Sequence, residues 1–221
     1  MKLLPEEPAV AVWRAILVEE LWQSIRDRAS DRSPLIVAVD GRGASGKSTL
    51  AARFATFVPG LVVVHTDDLA WNEPLFDWFH LLREDILAPL RRGEDVWFTP
   101  PAWPAHGRDG AIVVPASAPV VVIEGVGAAH DSASAFLDAT IWVQSDHVEA
   151  ERRGIERDLA CGVNGDRDET IAFWHEWWNA ERAYLAEDRP WERADLIVAG
   201  TPPEPLAAGE VAVADGPLNQ A

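Results

Sequence analysis

The run Leu35-Ile36-Val37-Ala38-Val39-Asp40-Gly41-Arg42-Gly43-Ala44-Ser45-Gly46-Lys47-Ser48-Thr49 constrains this chain more than any other segment. Consecutive apolar residues bounded by turn formers read as a buried parallel strand. Residues from Lys47 to Phe57 then read as a helix. Between the two, Gly41-x4-Gly46-Lys47-Ser48 has the pattern of a loop whose backbone N–H groups turn inward around phosphates. The following helix adds the positive end of its dipole. In this setting Gly41, Gly43, Ala44, Ser45 and Gly46 are expected to wrap a phosphate tail. Lys47 would reach the β- and γ-phosphates, Ser48 would ligate Mg²⁺, and Thr49 would bond the α-phosphate. A chance glycine-rich turn would not need a buried strand before it and a helix after it.

The rest of the chain reads as strands alternating with helices. Apolar runs at 61–65, 120–123, 140–143 and 194–199 read as further core strands, and 76–92, 146–160 and 168–187 as helices. Residues 8–29 also read as a helix, with Leu17, Leu21 and Ile25 on one face. Short strands at 96–98 and 111–114 flank a loop rich in proline and glycine. The expected fold is α/β: a P-loop NTPase three-layer sandwich with a central five-stranded parallel sheet. A small hairpin or acceptor region at about 70–115 and a helical lid at about 150–168 would complete a single domain over 1–200. Residues 201–221, rich in Pro, Ala and Gly, read as a loosely ordered tail.

Charge and composition narrow the function. The formal net charge of −17 repels polyanions over most of the surface, which argues against nucleic acid as a partner. A bound nucleotide therefore needs locally concentrated positive charge. The chain has 17 arginines and only two lysines, Lys2 and Lys47, and one of these lies in the loop motif. A compact ammonium fits between phosphate oxygens better than a broad guanidinium does. No apolar run approaches the roughly 18 residues of a membrane span, and Pro5, Glu6 and Glu7 interrupt any signal-peptide pattern after Met1-Lys2-Leu3-Leu4. A single cysteine, Cys161, allows no internal disulfide and no cysteine metal site, so a reduced, cytoplasmic setting is expected.

Several other residues carry candidate chemistry. Asp67 and Asp68 follow the strand 61–65, at the sheet edge where ligands of open α/β sheets bind. One of them could take a proton from an acceptor hydroxyl and approach the metal, while the other caps the next segment. Asp67, nearer the strand end, is the expected base. Glu124 ends the strand 120–123 and reads as a carboxylate holding the metal's water shell, or alternatively as a salt-bridged edge residue. Arg152, Arg153 and Arg157 share a helix, and Arg167 follows the loop 162–166. Two readings stay open for them: a mobile lid closing over phosphates, or a solvated charged helix balanced by Glu149, Glu151, Glu156 and Asp158. Among 11 tryptophans, Trp71 and Trp103 fall in the acceptor region, where rings could sandwich a planar substrate. His106 lies in the adjacent loop, and His65 could partner Asp67. The helical spacing of Trp174, Trp177 and Trp178 reads as core. The scattered histidines have no metal-ligand spacing.

Taken together, Asp40–Thr49, His65-Thr66-Asp67-Asp68-Leu69, Val121-Val122-Ile123-Glu124-Gly125 and the arginines 153, 157 and 167 resemble the uridine kinase-like P-loop kinases, the branch that includes uridine–cytidine kinases and nicotinamide riboside kinase. The resemblance covers about residues 35–200. It implies that Asp67 is the catalytic base, that Arg153 and Arg157 are lid arginines acting on the transferring group, and that Arg167 contacts the nucleotide. It also suggests that Asp77 grips ribose hydroxyls and that His106 contacts the acceptor base. The family's Tyr-Asp-aromatic motif is replaced by Pro101-Ala102-Trp103, so the resemblance implies small-molecule phosphorylation more firmly than it implies uridine.

The leading expectation is an ATP- and Mg²⁺-dependent kinase acting on a hydroxyl of a small molecule, with a nucleoside first among acceptors. Alternatives are a kinase for an antibiotic, a sugar acid or a nucleoside monophosphate, and a non-catalytic nucleotide-binding regulator. The stretch 66–82 lacks arginine, which counts against a monophosphate acceptor. The expected partner is a small hydroxyl compound, with no nucleic acid and no membrane. The sequence does not fix the oligomeric state; a homodimer is one option.

Overall fold

Seven consecutive residues of β2 (Leu35–Gly41) are buried, because helices cover both faces of this strand. The computed structural model describes residues 1–29 and 32–219. In chain order the elements begin with β1 (Arg14–Leu17), α1 (Val18–Arg28), β2, α2 (Lys47–Ala55), β3 (Leu61–His65) and α3 (Thr66–Ala70). A helix then runs through α4 (Phe79–Leu81), a π-helical stretch Leu82–Leu87 and α5 (Ala88–Arg91). β4 (Val96–Phe98), α6 (Ala102–Ala105), β5 (Ile112–Val114), β6 (Val120–Glu124) and β7 (Ala139–Gln144) follow. The chain closes with α7 (His147–Cys161), α8 (Arg167–Asp188), β8 (Leu196–Ala199) and β9 (Glu210–Asp215).

The main sheet has the order β1-β9-β8-β7-β2-β6-β3. Its five strands from β8 to β3 are parallel, as the alternation of strands and helices implies. Alternate residues feed two cores. Ile36, Ala38, Val121 and Ile123 pack with Leu82, Ile86 and Leu87 on one face. Val37, Val39, Val120 and Val122 pack with Leu21, Ile25, Leu50 and Phe54 on the other. This is the three-layer arrangement. β4 and β5 form a separate antiparallel pair. Among the described residues no helix is long and apolar enough to cross a membrane.

Two expectations are corrected. The helix expected over 8–29 begins only at Val18, and Arg14–Leu17 is a strand. The segment 201–221, expected as a loose tail, contains β9, four of whose residues are buried. The two errors have one cause. β9 lies antiparallel between β8 and β1, so each edge segment owes its conformation to a partner remote in sequence. Local periodicity cannot report such a pairing. β9 itself alternates, with Val211 and Val213 in one core and Ala214 in another; the surrounding Pro, Ala and Gly obscured that period of two.

Val213 pairs with Val198 on one side and Arg14 on the other and is 1% exposed. Val213→Asp buries an unpaired carboxylate there, and is expected to lower unfolding stability by roughly 3 kcal/mol. Urea midpoints of parent and variant measure this, and equal midpoints would remove β9 from the sheet.

Candidate active site

Parallel registry brings the ends of three strands together. Val39 of β2 stands beside Glu124 of β6, which stands beside His65 of β3. The chain after β2 must turn sharply beneath β7, and a Cβ on Gly41 would lie 2.7 Å from the Val143 carbonyl oxygen, so only glycine fits. α2 starts at Lys47 without a side-chain cap. Its first N–H groups therefore face the loop interior, where a helix N-terminus favours an anion. Lys47 is buried and donates through Nζ to the Arg42 carbonyl at 2.8 Å.

Ser48 Oγ donates to Glu124 Oε1 at 3.0 Å, and His65 Nδ1 lies 2.7 Å from Glu124 Oε2. Burial pushes Glu124 up, but hydrogen bonds from His65 and Ser48 and the charge of Lys47 outweigh it and leave its pKa lowered. The same bond to Glu124 raises the pKa of His65. Asp67 follows His65 by two residues and is accessible to solvent, yet crowded by protein atoms. That crowding raises its pKa; Lys47 and Arg157 pull it down, and Glu124 pushes it up. Lys47, Ser48, His65, Glu124, Asp67 and Arg157 thus share one electrostatic neighbourhood.

Asp68 turns the other way. Its Oδ1 accepts from Arg108 at 2.5 Å, and its carbonyl accepts from the Trp103 indole at 2.8 Å. The Arg108 guanidinium lies over Trp103, 3.6 Å from the ring centroid, and 5.4 Å from that of Trp71. Trp71 meets His106 edge-on at 6.0 Å. Asp67 and Asp68 are therefore neighbours in sequence with different surroundings: one faces the phosphate loop, the other an aromatic and cationic wall.

The arginines also divide. Arg152 is exposed and held by Glu149 and Glu156, as a solvated helix would have it. Arg153 donates to the Gly200 carbonyl and to Thr201 Oγ1, each at 3.2 Å, on the flank of the loop beside Ser45. Arg157 donates through Nε to Asp158 at 2.8 Å while its charge is felt at Asp67. Arg167 is exposed in the first turn of α8, and Asp77 is exposed before α4. Neither makes a side-chain contact with the cluster among the described residues.

Four buried residues hold the loop through contacts that its motif does not specify. Asp40 is wholly buried and accepts from the N–H groups of Gly41 at 2.6 Å, Ala129 at 2.9 Å and Gly127 at 3.0 Å. Arg42 is paired at 3.0 Å with Glu7, which also accepts from Trp142 at 2.8 Å and Gln144 at 3.1 Å. Glu181 accepts from the Gly43 N–H at 2.6 Å. Asp40 adjoins the loop motif and so could have been suspected; Glu7 and Glu181 lie too far away in sequence. Arg108, over the Trp71 and Trp103 rings, likewise has no sequence signal.

No protein-family model matches the chain, and no curated protein sequence matches it. Solved structures do. A protein described as a possible uridine kinase, from Bacillus stearothermophilus, matches at a TM-score of 0.55 and 19% identity, over 81% of this chain and 96% of that one. A protein described as a fructose transport system kinase, from Silicibacter sp. TM1040, matches at 0.54 and 24% identity, over 76% and 95%. The YGR205w protein matches at 0.53 and 11% identity, over 82% and 88%. At these identities the likeness is one of fold: the chain has the fold of uridine kinase-like and related P-loop kinases.

Burial raises the pKa of Asp40 from 3.8 to about 6, although three N–H groups and Lys47 oppose it. The folded state thus holds this proton more tightly than the unfolded state does. The stabilisation is fully present below the unfolded value and is lost as pH rises through about 6, on the order of 3 kcal/mol in all. Asp40→Asn removes the titration. Urea unfolding of both proteins from about pH 5 to about pH 7 should show the parent losing stability relative to the variant; parallel curves would refute the assignment.

Proposed function

We propose that this protein transfers the γ-phosphoryl group of ATP to a hydroxyl of a small molecule, with a nucleoside as the leading acceptor class. The observation that carries this reading is the convergence of Lys47, Ser48, Glu124 and Asp67 at one edge of a parallel sheet. That edge is where open α/β folds bind ligands. The names of two structural neighbours, a uridine kinase and a fructose transport system kinase, both point to polyhydroxylated acceptors.

Ser48 Oγ and Glu124 Oε1 are hard oxygen donors 3.0 Å apart. Among the described residues no three His, Cys, Asp or Glu side chains form a cage. That suits Mg²⁺, which keeps waters and takes one or two protein oxygens together with phosphate oxygens. When bound, Mg²⁺ would neutralise charge on the β- and γ-phosphates. The chain's own groups supply the rest. The uncapped start of α2 and Lys47 hold the phosphate tail. His65 keeps Glu124 ionised and oriented through its 2.7 Å contact. Asp67 orients the acceptor hydroxyl and takes its proton, and its raised pKa strengthens it as a base. Arg157 offers positive charge beside Asp67, where negative charge spreads over the transferring group. Trp71, Trp103 and His106 would line the acceptor's resting place, with Arg108 stacked against the two indoles.

Screening with MgATP against nucleosides, sugars and other hydroxyl compounds, read by product mass, identifies the acceptor. Asp67→Asn should then lower kcat by about a thousandfold while ATP affinity stays within about threefold. Lys47→Ala should abolish ATP uptake in calorimetry. Turnover by Asp67→Asn at the parent rate would remove Asp67 from the mechanism, and failure of the parent to bind ATP or GTP would refute the kinase reading.

A further inference from the structure

Glu181 is 3% exposed, and among the described residues no lysine, arginine or histidine forms an ion pair with it. Burying a carboxylate without a counterion is costly. Here the burial raises its pKa, against the opposing influence of Arg42, the Gly43 N–H, Lys47 and the Trp177 indole. A leucine would pack more cheaply at such a position. What the carboxylate supplies is an acceptor for one backbone N–H, that of Gly43, inside the phosphate loop.

The same face of α8 touches that loop twice more. A Cβ on Gly43 would lie 3.2 Å from Trp177 Nε1 and 3.4 Å from the Trp174 ring. Residues 174, 177 and 181 are spaced three and four apart, so they form one stripe along the helix. Trp174 also joins α8 to α7. Its ring lies so close to Gly154 that a Cβ there would meet it at 2.1 Å, and its indole donates to Asp158 Oδ2 at 2.8 Å. Asp158 in turn accepts from Arg157 Nε at 2.8 Å and from Asn164 at 3.0 Å. An unbroken series of packed contacts therefore runs from Gly43 through α8 to the arginine whose charge reaches Asp67.

We infer that Glu181 is a positioning residue that clamps the phosphate loop to the α7–α8 hairpin, so that the loop and Arg157 hold one relative placement. The consequence for turnover rests on the kinase reading above; the clamp itself does not. Gly43 is the contact point, where a side chain would require the Trp177 and Trp174 rings to give by a few tenths of an ångström. The stripe Trp174, Trp177 and Glu181 lies in the middle of α8, and Trp174 meets both the loop and α7.

Hydrogen exchange read by mass spectrometry on the nucleotide-free protein tests the clamp. Glu181→Ala and Glu181→Asp, the latter one methylene too short to reach, should each speed exchange about tenfold in peptides covering 41–46 and also in those covering 150–158. Glu181→Gln, whose amide oxygen accepts the same N–H, should stay within about threefold of the parent. Faster exchange confined to 178–184, a uniform rise across the whole chain, or a Gln variant behaving like the Ala variant would overturn the inference. If Glu181→Ala fails to fold, the Asp and Gln pair decides. With the acceptor in hand, Glu181→Asp should raise KM for ATP about tenfold and leave KM for the acceptor unchanged; a purely structural defect would move neither selectively. A parent that takes up no nucleotide would sink the kinase reading and leave the exchange result standing on its own.

Discussion

The loop after β2 bonds to itself through one backbone pair, the Ser45 N–H to the Arg42 carbonyl at 3.2 Å, and the rest of its shape is held from outside. Here three buried carboxylates do the holding. Asp40 gathers the N–H groups of Gly41, Gly127 and Ala129 and so ties the loop after β2 to the loop after β6. Glu7 reaches in from the first residues of the chain to neutralise Arg42. Glu181 takes the Gly43 N–H from the side of α8. The arrangement surrounds the proposed phosphate site with negative groups, which looks self-defeating in a chain of net charge −17. Nearby cations ease the conflict: Lys47 acts on both Asp40 and Glu181, and Arg42 acts on Glu181 as well.

The site divides along the peptide bond between Asp67 and Asp68. On one side are Lys47, Glu124, His65 and Arg157, groups suited to a charged phosphate tail and a metal. On the other are Trp71, Trp103, His106 and Arg108, a wall of rings and one guanidinium suited to an organic acceptor. α3 is only five residues long and begins at Thr66, a buried residue bonded to the Val126 carbonyl at 3.1 Å. That bond fixes the start of the turn, and the short helix then sends successive carboxylates to different sides. A reaction that joins two ligands at one atom needs this kind of junction.

The half of the site built on the loop after β2 was largely legible in the sequence as strand, loop and helix, because those signals are local. The run 35–49 contains strand, loop and helix start in unbroken order, and Val120–Glu124 ends in the carboxylate that meets Ser48. The aromatic half was legible only as a region. Trp71 and Trp103 could be placed there, but Arg108 stacks on both through a loop fold that no periodicity encodes. Asp77 and Arg167, assigned by resemblance, stay outside the cluster in the structure. The least legible features were the long-range ones. Glu7 and Arg42 are a buried pair between residues with no pattern in common, and β1 was misread as helix because its partner comes near the far end of the chain.

That last pairing has a bearing on how the chain assembles. β1 lies at the rim of the sheet with β9 as its neighbour among the described residues, and its Arg14 pairs with Val213, far away in sequence. The five parallel strands pair without these two segments, but the rim closes only when both have met. Contacts between such distant segments carry a large loop-closure entropy and form late. Until then β8 presents an open row of backbone donors and acceptors on its outer side, so a chain whose rim has not closed would be most vulnerable to sticking to other chains at that border.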